Sequence, residues 1–115
     1  MSFCYAQLQT HDHEKAKSFY QTLFGWVIAD SQPHYSELKT GGTIDAGIMP
    51  AANPHGPAFW LPYIEVADLN AKLGEVEKLG GKTMVPPSEV PGKGRYAVIS
   101  DPSGAALGLW EVLKR

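Results

Sequence analysis

The sequence has 115 residues, a length that fits one domain or two very small modules sharing a core. Hydrophobic residues make up 43% and charged residues 19%, with a net charge of −2. That balance supplies enough apolar surface to fold, excludes the basic excess of a nucleic-acid binder, and leaves no apolar run near the ~20 residues of a membrane span. The single cysteine, Cys4, cannot form an internal disulfide. Met1-Ser2-Phe3-Cys4-Tyr5 has no basic region followed by an apolar stretch, so no secretion signal is expected and the cytoplasm is the expected compartment.

In chain order, residues 3–9 read as a strand with Cys4, Ala6 and Leu8 on one face and Tyr5, Gln7 and Gln9 on the other. Thr10 or Asp12 can cap a helix over 13–24, whose stripe is Ala16, Phe19, Tyr20, Leu23 and Phe24, with Gly25 placed to stop it. Residues 26–29 read as a strand, 30–33 as a turn, 34–39 as a second strand and 44–49 as a third. Pro50 to Pro57 has the composition of a linker. Beyond it come a strand over 59–66, a cap at Asp68, and a helix stripe of Leu69, Leu73, Val76 and Leu79 ended by Gly80-Gly81. Residues 82–85 read as a strand, 86–94 as a loop, 95–100 as a strand, Asp101-Pro102-Ser103-Gly104 as a turn, and 105–113 as the last strand.

The order is therefore strand, helix, three strands, linker, and the same again. Asp12 aligns with Asp68, Gly25 with Gly80, Leu8 with Ile64, and Ala46-Gly47-Ile48-Met49 with Leu107-Gly108-Leu109-Trp110. Two copies, about 1–50 and 58–115, fill the chain around a Pro/Gly linker. Each copy's sheet carries a helix on one face, and the other face needs a partner that the second copy can supply.

This pattern resembles the vicinal oxygen chelate superfamily, which includes glyoxalase I, extradiol dioxygenases, bleomycin- and fosfomycin-resistance proteins and methylmalonyl-CoA epimerase. The segments that carry the resemblance are Asp12 to Tyr20 with Leu23-Phe24-Gly25-Trp26, and Asp101-Pro102-Ser103-Gly104 before the last strand. Trp60-Leu61-Pro62-Tyr63 and Gly80-Gly81-Lys82 are similar to a bacterial glyoxalase-like branch. The expected fold is α+β: two tandem βαβββ modules forming a cupped, mostly antiparallel mixed sheet with helices on the outer face, in one domain. The resemblance also implies where metal-using members place four ligands: seven residues before each helix-start aspartate, seven after the aspartate of the Asp-Pro turn, and at that position's repeat partner. Here those places hold Tyr5, Leu61, Gly108 and Gly47. Leucine and glycine side chains have no donor atom and neutral tyrosine is a poor ligand, so no cofactor is expected and glyoxalase I chemistry is disfavoured.

Other residues do not rebuild a metal site. His11 and His13 have a spacing that suits zinc on a strand, but they fall in a strand-to-helix turn and are expected to be a solvated helix start. His34 and His55 are expected in surface loops, and Cys4 as a small buried hydrophobe. Gly92-Lys93-Gly94-Arg95 reads as a loop ending in a strand, with Arg95 or Lys93 at an anionic ligand as the alternative. Glu65 is expected as an ion-paired or rim residue, a general base only if buried, and Glu111 is expected to point away from the cup.

The cup by alternation carries Tyr5, Gln7 and Gln9; Leu61, Tyr63 and Glu65; Ala106, Gly108 and Trp110; and Gly47 with Met49. Its expected ligand pocket is Tyr5, Gln7, Gly47, Leu61, Tyr63, Glu65, Gly108 and Trp110, an apolar and aromatic lining with a few polar handles. The alternatives are that the aromatics fill space between sheets or bury a dimer contact. The expected function is metal-free binding of a small apolar or aromatic molecule, in the manner of bleomycin-resistance proteins, by a homodimer with no nucleic-acid or membrane partner. The alternative is a small lyase, isomerase or dioxygenase, either metal-dependent through non-standard ligands or using Glu65 and Tyr63.

Overall fold

The computed structural model describes residues 1–113. Its elements are β1 (Phe3–Thr10), α1 (His13–Phe24), β2 (Val27–Gln32), β3 (Tyr35–Lys39), β4 (Asp45–Pro50), β5 (Phe59–Glu65), α2 (Leu69–Lys78), β6 (Lys82–Val90), β7 (Gly94–Ser100) and β8 (Ala106–Val112). The fold is α+β, and the strand-helix-three-strand order occurs twice, as the repeat requires. The chain divides into two compact units, one of Cys4–Leu61 and one that begins at Pro62 and takes in Met1–Phe3. No described helix is long and apolar enough to cross a membrane.

In the first unit the strand order is β2-β3-β4-β1. β1 and β4 are parallel, with Gln7 opposite Gly47, and β2-β3 and β3-β4 are antiparallel. The parallel pair needs a crossover, and α1 starts it. The Asp12 carboxylate accepts from Lys15 N–H at 3.1 Å at one end, and Gly25 closes the other end in the left-handed region at φ 69°. Leu8, Leu38, Ala46 and Ile48 form the core against Ala16 and Tyr20 of the helix.

The second unit repeats the arrangement with order β5-β8-β7-β6. β5 and β8 are parallel, with Tyr63 opposite Gly108, and β7 pairs antiparallel with both β8 and β6. Asp68 caps α2 by accepting from Ala71 N–H at 3.1 Å. Val66, Leu69, Ala97, Ile99 and Leu109 form its core, with Leu73 and Val76 packed against it. Met1–Phe3 joins this unit, and Glu65 N–H donates to the Ser2 carbonyl at 3.3 Å.

Three expectations are corrected. β2 runs on through Asp30 to Gln32, and the turn falls at Pro33-His34, where His34 takes φ 65°. β6 continues through the expected loop to Val90. It pairs with β7 alone, and the ladder shifts register between Val85 and Ser88, where Pro86 and Pro87 sit; an outer strand with an irregularity is where prolines are tolerated. The helix stripes are also less buried than their spacing implies. Phe19, Leu23 and Leu79 are 57%, 57% and 76% exposed. Tyr20 and Trp26 pack against the sheet core and on each other, with centroids 5.8 Å apart, and Phe24 meets Trp26 at 4.9 Å.

Leu38 and Leu69 are fully buried, one in each unit. Leu38→Ala and Leu69→Ala are each expected to cost about 2–5 kcal/mol in urea unfolding, whereas Leu79→Ala should stay within about 0.5 kcal/mol.

Candidate functional site

With Leu8, Leu38, Ala46 and Ile48 packed against α1, the period of two sends their neighbours to the opposite sheet face. In the first unit that face carries Tyr5, Gln7 and Gln9 on β1, Asp45, Gly47 and Met49 on β4, and Tyr35, Glu37 and Lys39 on β3. Gly47 lies between Gln7 and Glu37 in register. The Tyr5 and Tyr35 hydroxyls meet at 2.5 Å. A Cβ placed on Gly47 would overlap both of these oxygens, so glycine is what lets the two phenols lie over the strand. Gln9 is buried; its carboxamide accepts from Ala52 N–H and donates to Gln7, both at 3.4 Å.

At the same end of the sheet Lys39 bridges Asp45 at 3.1 Å. This bond, with that from Thr40 N–H, holds the Asp45 carboxyl below the usual carboxylate range. An open concavity of about 290 Å³ is lined by Cys4, Tyr5, Glu37, Lys39, Thr43, Ile44, Asp45 and Ala46. In this unit the polar handles of the expected lining, Tyr5 and Gln7, are joined by Glu37, Lys39 and Asp45.

The second unit differs. Its face opposite α2 carries Tyr63 on β5, Gly108 and Trp110 on β8, and Tyr96 and Val98 on β7. Tyr63 is only 5% exposed, and its ring occupies the space that a Cβ on Gly108 would need. Tyr63 and Tyr96 meet edge to face with centroids 6.4 Å apart, and Tyr96 pairs with Trp110 in register. Leu61 is buried on the same strand as Tyr63, and Glu65 at its end is exposed. The structure therefore brings Tyr5, Gln7 and Gly47 together in one unit and Tyr63, Gly108 and Trp110 in the other.

Glu111 leaves that face as expected. Its carboxylate accepts from Leu69 N–H at 2.7 Å at the start of α2, and from Arg95 at 3.2 Å. Arg95 is thereby committed to a structural pair, which answers the alternative of an anionic ligand for it. His13 is more than a solvated helix start. Its Nε2 meets Ser36 Oγ at 2.8 Å, Ser36 donates to Asp30 at 2.5 Å, and Lys17 bridges Asp30 at 3.0 Å. The Ser36 bond first, and Lys17 second, hold the Asp30 carboxyl below its ordinary range; Asp30 in turn raises Lys17. His11 contacts the Gly56 carbonyl at 2.7 Å, and His34 and His55 are exposed. Among the described residues no three His, Cys, Asp or Glu gather as a metal-binding group.

Tyr35, Glu37 and Tyr96 are absent from the sequence-derived pocket. The alternation Tyr35-x-Glu37-x-Lys39 was the available signal, but it names a face only once β3 is known to pair with β4.

A model of the glyoxalase/bleomycin resistance protein/dioxygenase superfamily matches residues 3–109. The chain belongs to this superfamily. Relatives include "Putative glyoxylase CFP32" of Mycobacterium bovis, 39% identical over 93% of this chain and 44% of the relative. The anthracycline biosynthesis protein DnrV of Streptomyces peucetius is 32% identical over 90% of this chain and 44% of its own length. The chain thus spans less than half of the curated relatives it matches. Among solved structures, the methylmalonyl-CoA epimerase of Mycobacterium tuberculosis superposes with a TM-score of 0.72 over 97% of this chain and 88% of that one, at 14% identity, a likeness of fold. The metal that superfamily resemblance implies does not fit the residues present. The space beside Gly47 holds two phenol oxygens, that beside Gly108 holds a tyrosine ring, and Leu61 has no donor atom.

Gly108→Ala should displace the Tyr63 ring and lower stability by about 1–3 kcal/mol in urea unfolding, and the double variant with Tyr63→Ala should lose less than the sum of the two single changes. The Asp30 carboxyl, lowered in the folded state, contributes stability that is present above the ordinary value of ~3.9 and is lost as pH falls through its lowered value. Asp30→Asn should therefore lose less thermal stability than the parent between about pH 7 and about pH 3, as read by circular dichroism.

Proposed function

We propose that this chain binds a small apolar or aromatic molecule without a metal, through the sheet face turned away from α2. The observation that carries this reading is the filling of two superfamily ligand positions by tyrosine: phenol oxygens over Gly47 and a ring over Gly108. Tyr96 and Trp110, both partly exposed, supply flat apolar surface of the kind that small-molecule sites use for affinity, with the buried Tyr63 ring packed edge to face on Tyr96. The name of DnrV, an anthracycline biosynthesis protein, agrees with an aromatic ligand. In the same reading the protein works in the cytoplasm as a homodimer. The curated relatives carry more than as much chain again, which is the length a second copy would add.

Three measurements test the proposal. Elemental analysis of protein purified without chelator or affinity tag should find no stoichiometric transition metal; about one metal per chain would overturn the metal-free reading. Trp110→Ala should weaken binding of naphthalene by about tenfold. Its stability should fall by clearly less than the ~3–5 kcal/mol of a fully buried aromatic, and outright unfolding would assign Trp110 to the core. Light scattering on the eluting chromatographic peak should give twice the chain mass, and the mass of one chain would overturn the dimer.

A further inference from the structure

We infer that the aromatic face of α1, made by Phe19, Leu23 and Phe24 with Trp60 beside them, is the surface on which a second copy of this chain docks. This rests on the homodimer reading above and names the face that holds the two copies together. The patch lies wholly within the first unit. Phe19, Leu23 and Phe24 are each more than half exposed, and Trp60 more than a third. They form one surface: Leu23 follows Phe19 by one helical turn, Phe19 meets Tyr20 edge to face at 5.1 Å, Tyr20 stacks with Phe24 at 6.3 Å, and Tyr20 meets Trp60 at 5.4 Å. The Trp60 indole N–H donates to the Tyr20 hydroxyl at 3.1 Å, which ties the strand residue to the helix. Tyr20 and Trp26 are held from below by the core of the unit. Single apolar side chains on a surface need no explanation, whereas contiguous ones mark an interaction site.

Charge and area both favour a copy of the same chain as the occupant. Ser18 to Ala29 contains no Asp, Glu, Lys or Arg, and neither does Pro57 to Ile64 around Trp60. In a two-fold pair the same patch is used on both sides, so any charge carried on it would meet its like. A neutral patch avoids that repulsion, and it offers an acidic or basic partner nothing to pair with. With ~150–250 Å² for a whole aromatic side chain, the exposed parts of the four residues amount to roughly 400 Å². One side of a stable interface covers ~800 Å², of which ~56–58% is apolar. The patch therefore supplies most of that apolar share, in side chains of the type that dominate interface energetics.

Sedimentation equilibrium of the full chain reads the dimer, and glutamate variants read the surface. Phe19→Glu and Leu23→Glu each bury a carboxylate on both sides of the two-fold axis, and each should weaken the dimer about a hundredfold. Leu79→Glu, at an exposed leucine of the second unit, should leave it unchanged. Circular dichroism confirms that each variant is folded, and either patch variant alone suffices. Carbene labelling needs no variant: in the parent protein, labelling of residues 18–24 should fall about threefold on passing from monomer to dimer concentrations, as side chains at an interface centre lose solvent. A dimer that persists in a folded patch variant, an equal loss in Leu79→Glu, or labelling that does not change with assembly overturns this surface and leaves the dimer reading standing. A monomeric parent overturns the dimer reading and this surface with it, and its co-sedimentation with phosphatidylcholine vesicles would assign the patch to a lipid surface instead.

Discussion

Each unit buries one helix against one sheet face, and a strand turns its side chains to alternate faces with a period of two. That constraint decides almost everything else in the molecule. Once Leu8, Ala46 and Ile48 are committed to α1, Tyr5, Gln7 and Gly47 have only the other face available. Once Leu107 and Leu109 are committed to α2, Gly108 and Trp110 are likewise assigned. A slip of one residue would put the tyrosines under the helices and the aliphatic side chains in water, so the hydrophobic cores specify which residues occupy the opposite faces.

The two units keep one backbone plan and diverge in chemistry. Parallel pairing of the first and last strand recurs, as do the aspartate caps of both helices. A glycine recurs at the centre of each last strand, and in both cases a tyrosine occupies the volume its missing side chain leaves. Around Gly47 the neighbours are hydroxyl, carboxamide and carboxylate groups. Around Gly108 they are rings and aliphatic carbons. The two copies of the scaffold thus differ in chemistry through side chains alone.

Much of this was legible from the residues. The caps at Asp12 and Asp68 are side-chain-to-backbone bonds within three residues, and such local chemistry can be read directly. The phase of Ala106, Gly108 and Trp110 followed from strict alternation in a strand that no proline interrupts. The failures were all non-local. Pro86-Pro87 argued for a loop, and only the outer position of β6 shows why a strand can contain them. Asp30 read as a turn residue because its partners, Lys17 and Ser36, lie 13 and 6 positions away. Phe19 and Leu23 matched a helix stripe, yet spacing cannot report how far the sheet extends beneath the helix. Tyr35 escaped notice since its significance comes from Tyr5, 30 positions earlier, and from a strand pairing that joins them.

The prolines of β6 have a consequence for the protein's life in concentrated solution. The outermost strand of a sheet presents unsatisfied amide groups that can recruit a strand from another molecule and seed fibrils. Pro86 and Pro87 contribute no N–H to such a ladder, the register break beside them bends the strand, and Lys82 adds charge at its start. The nine residues of the strand are thereby interrupted as a template. What read as a loop is thus an outer strand whose two prolines withhold amide donors from any added strand.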